Sequence, residues 1–592
     1  MTSVRLWLVY GLFMTILAAL CFGSLRCHLL NTHDADSFAD HSLIDQNPSL
    51  FFSPEKNQAT GRLVADGTKY IVYWLYGNNP AAFHLAVVAT HLVAALLLAG
   101  LVWQLSTSNL LAALSGLLFL LNVAHFEAIH HISALDYPLG LACACAAWLC
   151  WKQSAPWRVP AFALLMVCAI QAHPSLAALW IMPLYDIWKT RNRDNHLYYL
   201  AVTALPIAAA VAASVLLASH KTTTWLAIEM YSEQSLSSLL AGQIHVLLLL
   251  SSRLLSTAHW VTTPIYSTAS WEWGLGLAIV ALLLYLLYRR QAPYDWAALW
   301  VLAGLLPYML MTESTIESLP AGPSRYLYIA SAGSSILLAT ALQWIIRKQC
   351  YVGWALTVGI VFSSYVFLRK VEAISLYTSA RHYLSEQEYE QGIELFERAL
   401  QTAPDMLPIE DAYGRLGAIV LSVSPERALY IIESGYAIYP HNLLLNIFRL
   451  VLLSESQDIQ TQNNAYDQLV AIGTSNSPAI GQSYFNLGTG HTKRQEWNQA
   501  EWAYKQSLTF LPGRLSTIRS LASIYIHQKQ FGNAIDLLEQ HSDKADAATL
   551  QVLVRLYDIQ GQSTRTQQIH ARILRQFPNS PEAKEISATT QP

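Results

Sequence analysis

The sequence predicts an all-α protein in two parts, a polytopic helix bundle of about eleven apolar spans followed by an α-solenoid. Three observations carry that expectation. Of 592 residues, 53% are hydrophobic and only 13% charged, roughly half the charge of an ordinary soluble domain. Apolar stretches of about 20 residues, the length a spanning helix needs, recur through residues 1–371. Beyond residue 371 they shorten, and a period near 34 residues takes over.

The first stretch, Leu6 to Leu25, has no charge between Arg5 and Arg26. It is longer than the roughly 7–15 apolar residues of a cleaved signal peptide, so a retained anchor is expected. Ten further spans are predicted at residues 83–103, 108–124, 137–151, 159–172, 175–188, 198–218, 273–288, 294–312, 326–346 and 350–369. Arg5, Lys152, Arg158, Lys189, Arg191, Arg193, Arg289, Arg290, Arg347 and Lys348 fall on one side of these spans, with Arg325 almost alone opposite. The positive-inside rule then places the N-terminus in the cytoplasm. An odd number of spans puts the loop 26–82 and residues 372–592 outside, in a periplasm or secretory lumen, with the inner membrane as the site if the source is bacterial. Segment 235–257 is apolar but carries His245 and Arg253, which favours a helix lying along the outer interface.

Net charge is −3, split between about +3 for residues 1–371 (19 Lys/Arg less 16 Asp/Glu) and −6 for the rest (17 less 23). That balance excludes a nucleic-acid partner. Seven cysteines, nearly all in apolar runs, exclude a disulfide framework. Cys143 and Cys145 sit among alanines and leucines and read as small packing residues, so no metal is assigned to them. No cofactor is demanded by any motif, and a divalent metal is left open.

In the second part, Leu487-Gly488, Ala500, Tyr504 and Pro512 fall where a tetratricopeptide repeat places helix A, helix B and the closing turn. Adding 34 gives Leu521-Ala522, Tyr525, Ala534 and Leu538. Tyr383, Gly392, Phe396, Ala399 and Pro404 form an earlier unit, and Leu553, Tyr557 and Pro578 a last one. Residues 409–440 and 442–478 keep a helical pattern, so about six stacked hairpins are expected. Such a solenoid presents a groove to another polypeptide.

Ionisable residues near spans mark functional sites by default, and here they gather on the outer side. Asp34, Asp36, Asp40 and Asp45 fall within twelve residues of the first loop, a place for a general base. Arg62 and Gly77-Asn78-Asn79-Pro80 follow. His84 and His91, seven apart, share one helix face. The next outer loop supplies Asn122, His125, Glu127, His130, His131, Ser133 and Asp136, and Arg325 opens the penultimate span beside Ser324 and Tyr326. A guanidinium there suits bidentate contact with phosphate.

This ordered set resembles the transmembrane O-mannosyltransferases with C-terminal tetratricopeptide repeats, in the GT-C glycosyltransferase superfamily, over residues 34–580. Asp40, Asn47-Pro48, Arg62, Gly77-x-x-Pro80, His84 and His91 match the family's first loop and helix in order. His125-Phe126-Glu127 with Ile132-Ser133 is similar to its His-x-Glu loop, and Ser324 to Tyr328 to its Glu-Arg-Tyr-Leu-Tyr. The chain departs from the family at Ala39, Leu63, Val87 and Ser324.

The resemblance implies a GT-C-like bundle and an inverting transfer from a polyprenyl-phosphate-linked sugar to an acceptor hydroxyl, on protein Ser or Thr. Asp40 would be the base, with Asp36 in reserve. Arg325 and Arg62 would hold the phosphate, with Tyr326, His125, Glu127, His84 and His91 around the donor. Membrane lipids surround the bundle in this reading, and the repeats recruit the acceptor protein. The departures leave a second reading open, a non-catalytic membrane scaffold that assembles partners through its repeats.

Overall fold

The computed structural model describes residues 3–27, 62–153, 157–190, 196–217, 236–261, 269–310 and 324–589. Among these the structure is all-helical. The chain divides into two compact units: Met1–His382 with Gln401–Met406, and Tyr383–Leu400 with Leu407–Pro592. The helix Cys350–Ser385 runs through residue 371 without a break.

The first unit contains α1 (Ser3–Phe22), α2 (Leu63–Tyr76), α3 (Pro80–Ser106), α4 (Asn109–Leu120), α5 (Asp136–Trp151), α6 (Arg158–Ala172), α7 (Ile181–Thr190), α8 (His196–Leu217), α9 (Leu236–Ser256), α10 (Trp271–Arg289), α11 (Tyr294–Leu305), α12 (Tyr328–Lys348) and α13 (Cys350–Ser385). Six helices among the described residues are long and apolar enough to cross a membrane, in place of about eleven. For four of the predicted segments the difference is one of length. Residues 108–124 yield the 12-residue α4, about 18 Å long. Residues 175–188 begin as the 3-10 turn Pro174–Trp180, and 294–312 divide into α11 and the 3-10 turn Leu306–Leu310.

Local chemistry explains these breaks. Gly77 closes α2 at a left-handed φ of 61°, where a side chain would be strained. Two residues later, the Asn79 side chain accepts the Ala81 N–H at 3.0 Å, and Pro80 starts α3. The Gly77-x-x-Pro80 motif is therefore a helix stop followed by a helix start. Small residues then set the packing of α11 on α12. A Cβ on Gly333 would lie 2.6 Å from the Ala297 carbonyl oxygen, and one on Gly304 would lie 2.8 Å from the Ala330 nitrogen.

The charge that set 235–257 apart in sequence is neutralised within the helices. Arg253 of α9 meets Glu272 of α10, with Nε 2.9 Å from Oε1 and Nη2 3.1 Å from Oε2, both side chains almost wholly buried. Arg253 thus gives no reason to expect this helix to lie along an interface.

The second unit is a series of paired helices. The end of α13 pairs with α14 (Tyr389–Thr402), and the helical stretch 409–421 with α15 (Pro425–Ile438). α16 (Leu443–Leu453) pairs with the start of α17 (Ile459–Lys493), whose end pairs with α18 (Trp497–Phe510). α19 (Leu515–His527) and α20 (Phe531–Gln540), then α21 (Ala547–Ile559) and α22 (Ser563–Gln576), complete six pairs before α23 (Pro581–Thr589). Residues 442–478 therefore do not end at a turn; they continue into the 35-residue α17.

The repeat positions read from sequence converge in space. Ala500, Tyr504, Leu521, Ala522, Tyr525, Ala534, Leu538, Leu553 and Tyr557 belong to one buried cluster. A Cβ on Gly488 would sit 2.7 Å from the Tyr504 ring, so glycine there lets the aromatic ring in. Helix A ends alike in four pairs. Gln387, Gln495, Lys529 and Gly561 all have φ between 60° and 71°. The next N–H returns five residues to Tyr383, His491, Tyr525 and Tyr557, at 2.7–2.9 Å. This is the Schellman closure of a helix end.

Candidate functional site

Between α4 and α5 the backbone passes through short turns instead of open loop. The Asn122 side chain halts the chain by accepting the Ala124 N–H at 2.9 Å, and the Val123 N–H donates to the Ala258 carbonyl at 2.7 Å. His125, Glu127, His130, His131 and Asp136 are all buried. Buried charges at such positions need partners, and they have them.

Glu127 is bound to the start of the penultimate predicted span. Its N–H donates to Ser324 Oγ at 3.0 Å, and its Oε2 accepts the Arg325 N–H at 3.2 Å. The Arg325 Nη1 and the His131 Nδ1 each lie 3.6 Å from Glu127 Oε1. Glu127 is the carboxylate that faces Arg325. The guanidinium also lies 5.3 Å from the centre of the Tyr326 ring, and Tyr326 itself is buried against Tyr308 at 4.9 Å.

A second pair stands nearby. Arg62, just before α2, makes an ion pair with Asp136 at the start of α5; a quarter of the Arg62 side chain is exposed but almost none of Asp136. The His173 Nε2 lies 4.0 Å from the same Asp136 oxygen, and its ring packs 4.1 Å from that of Tyr137. The charges of Arg325 and Lys69 also act on Asp136, and both guanidiniums act on His173. Arg62 and Arg325, remote in sequence, therefore share one electrostatic site.

The histidines divide. His84 lines a groove of about 620 Å³ between α1 and α3, with Thr15, Ala18, Phe22, Ser24 and Val88. His91 does not share it. Its Nε2 lies 3.2 Å from the Leu120 carbonyl, which only accepts, and its Nδ1 lies 2.7 Å from the Tyr328 hydroxyl. Both nitrogens are thus engaged inside the bundle, which corrects the expectation that the two histidines serve one cavity. His125 is held through one nitrogen: Ser331 Oγ donates to the Tyr328 carbonyl at 2.7 Å, so His125 Nδ1 donates to Ser331 Oγ at 2.7 Å.

Asp36 and Asp40 lie outside the described residues. Among the described residues no group of three or more His, Cys, Asp or Glu side chains is placed to hold a metal ion. Sequence reasoning missed Lys69 and the parts played by Asp136 and His173. The signal was present for two of them: Arg62, Asp66 and Lys69 follow the i, i+4, i+7 spacing of one helix face, and Asp136 is an ionisable residue opening an apolar run. Nothing in the sequence marks His173 as Asp136's neighbour.

No protein-family model and no curated protein matches this chain. Among solved structures, one described as "Functional Characterization of Pseudomonas Aeruginosa pilF" is similar at 18% identity and a TM-score of 0.21, covering 37% of this chain and 99% of that one. The crystal structure of the APC/C hetero-tetramer Cut9-Hcn1 is similar at 15% identity and a TM-score of 0.22, covering 88% of this chain and 92% of that one.

Proposed function

We propose that this chain is a membrane-embedded glycosyltransferase that moves a sugar from a polyprenyl-phosphate to an acceptor hydroxyl, inverting the anomeric centre, while its repeats dock the acceptor polypeptide. The observation that carries this reading is the convergence of Arg62 and Arg325 on the surroundings of Asp136 and His173. Two fixed guanidiniums suit a leaving phosphate whose negative charge grows in the transition state. Glu127 and Asp136 hold those cations in place, the role this reading gives them instead of contact with sugar hydroxyls. Bare apolar faces support the bilayer. Leu8, Leu12, Ile16 and Leu20 recur every four residues along α1 and are 53–69% exposed, and the span Trp271–Arg289 is only 17% buried.

In the reaction, the acceptor oxygen forms a bond to the anomeric carbon as the bond from that carbon to the phosphate oxygen breaks. The hydroxyl proton passes to a carboxylate, for which Asp40 is the candidate. Polyprenyl phosphate leaves. The experiment is transfer by the full chain in vesicles containing a polyprenyl-phosphate sugar. Asp40→Asn should lower transfer by about 10²–10⁴-fold with an unchanged melting temperature, and undiminished transfer would remove Asp40 from the role.

The scaffold reading is favoured by one observation, that both guanidiniums already face carboxylates of this chain. A protein that assembles partners through its repeats yet binds no polyprenyl phosphate would establish it.

A further inference from the structure

One cluster in the repeat unit has no part in the proposed chemistry. His491, buried near the end of α17, stands between two carboxylates: its Nε2 is 2.5 Å from Glu455 Oε1 and its Nδ1 is 2.6 Å from Glu496 Oε2. Arg494 donates from Nε to Glu496 Oε2 at 2.9 Å, and its Nη1 reaches the Leu421 carbonyl oxygen. Leu421, Glu455 and Glu496 lie at the turns that join helix A to helix B in the second, third and fourth pairs. The cluster therefore ties three consecutive turns along one edge of the repeats.

Position within the repeat makes the residue choice informative. Tyr383, Tyr525 and Tyr557 occupy the corresponding place in the first, fifth and sixth pairs, each accepting the N–H that closes helix A. Tyr557 donates its hydroxyl to Glu539. A tyrosine there offers one donor at any ordinary pH. A histidine between two carboxylates offers two donors only when doubly protonated; as neutral imidazole it turns a lone pair toward one of them.

We propose that His491 is a proton-operated lock: protonated, it binds Glu455 and Glu496 and joins the third and fourth pairs, and on losing its proton it lets their turns separate. Glu455, from the turn after α16, Glu496, from the turn before α18, and Arg494 are the charged groups that face it; Leu421 presents only its carbonyl. Burial works against the His491 charge, as does the Arg494 guanidinium, whose Nη2 lies 3.0 Å from Nδ1, but the two carboxylates outweigh both and hold its pKa above the ordinary 6.5. A raised pKa contributes stability that is complete below about 6.5 and is lost as pH rises toward and through the folded-state value. Glu496 behaves oppositely. Burial raises its pKa, but His491 and Arg494 lower it further, so its contribution is lost only as pH falls below the ordinary carboxylate range.

The test is hydrogen exchange by mass spectrometry on the full chain in detergent between pH 6 and pH 9, corrected for intrinsic exchange. Wild-type protection in peptides covering 454–462 and 488–498 should fall by up to about tenfold per pH unit above pH 6.5. Peptides of α21 and α22 should stay flat. His491→Tyr should remove this pH dependence while keeping the fold, and Glu455→Gln should shift it to lower pH. Equal pH dependence in wild type and His491→Tyr, or flat wild-type protection, overturns the lock. If His491→Tyr does not fold, the Glu455→Gln profile decides alone, an unshifted one overturning the proposal.

Discussion

Asp136 takes the guanidinium of Arg62 across 74 residues of chain, and it also lies 4.0 Å from His173 Nε2. An almost fully buried carboxylate thus organises a cation from the start of α2 and an imidazole from the end of α6. Removing its charge alone strands Arg62. Asp136→Asn should destabilise the first unit by about 2–3 kcal/mol, less than a wholly buried pair because Arg62 keeps some solvent contact. Thermal unfolding in detergent checks this, and Arg62→Gln combined with Asp136→Asn should recover part of the loss.

Arg325 is the cation most directly testable by ligand. Its backbone N–H and its guanidinium both face Glu127, so the side chain can be cut without freeing the segment. Arg325→Ala should weaken binding of a polyprenyl-phosphate analogue by about 10–100-fold, the scale of hydrogen bonds to a charged group. Titration of that analogue into the purified protein measures it. Arg325→Lys should restore only part, because an ammonium lacks the planar fork.

Two helical glycines should respond in opposite directions. Gly333→Ala would press a methyl against the Ala297 carbonyl and Val301, costing about 1–3 kcal/mol. Gly359→Ala meets nothing within 4 Å and should gain up to about 1 kcal/mol from helix propensity. Melting temperatures of the two variants should bracket the wild type.

The helix-A ends of the repeats contain removable strain. Gln495 and Lys529 are exposed and left-handed, a conformation that costs non-glycine residues about 1 kcal/mol. Gln495→Gly and Lys529→Gly should each stabilise the second unit by about that amount. Gln495 and Lys529 end helix A in successive pairs, and the effects should add. Denaturant unfolding followed through the repeat helices reads both.

The repeats were the most legible part of the sequence. A period near 34, with Gly488 opposite Tyr504 and Ala522 beside Tyr525, reflects local packing that each pair repeats on its neighbour. The degenerate stretch 442–478 hid the continuous α17, because a repeat pattern marks faces and not the place where one helix becomes the next. In the first unit, hydropathy located the apolar segments, but four of them form helices of only 10–15 residues. It sums composition over a window and does not register that Asn122 or Pro174 begins a new turn.

By itself the chain's order of residues determined that the protein is helical, that an apolar first part precedes a repeating second one, and that Arg62, Glu127 and Arg325 are candidates for a site. The first two follow from composition and periodicity; Glu127 and Arg325 follow from being ionisable residues beside apolar spans, and Arg62 from the family resemblance. Only the tertiary structure decided who pairs with whom: Arg62 with Asp136, Arg325 with Glu127, and His91 with Tyr328 and Leu120. An ion pair depends on a distance of a few ångströms between segments that chain position leaves unrelated, and that distance exists only once the helices have packed.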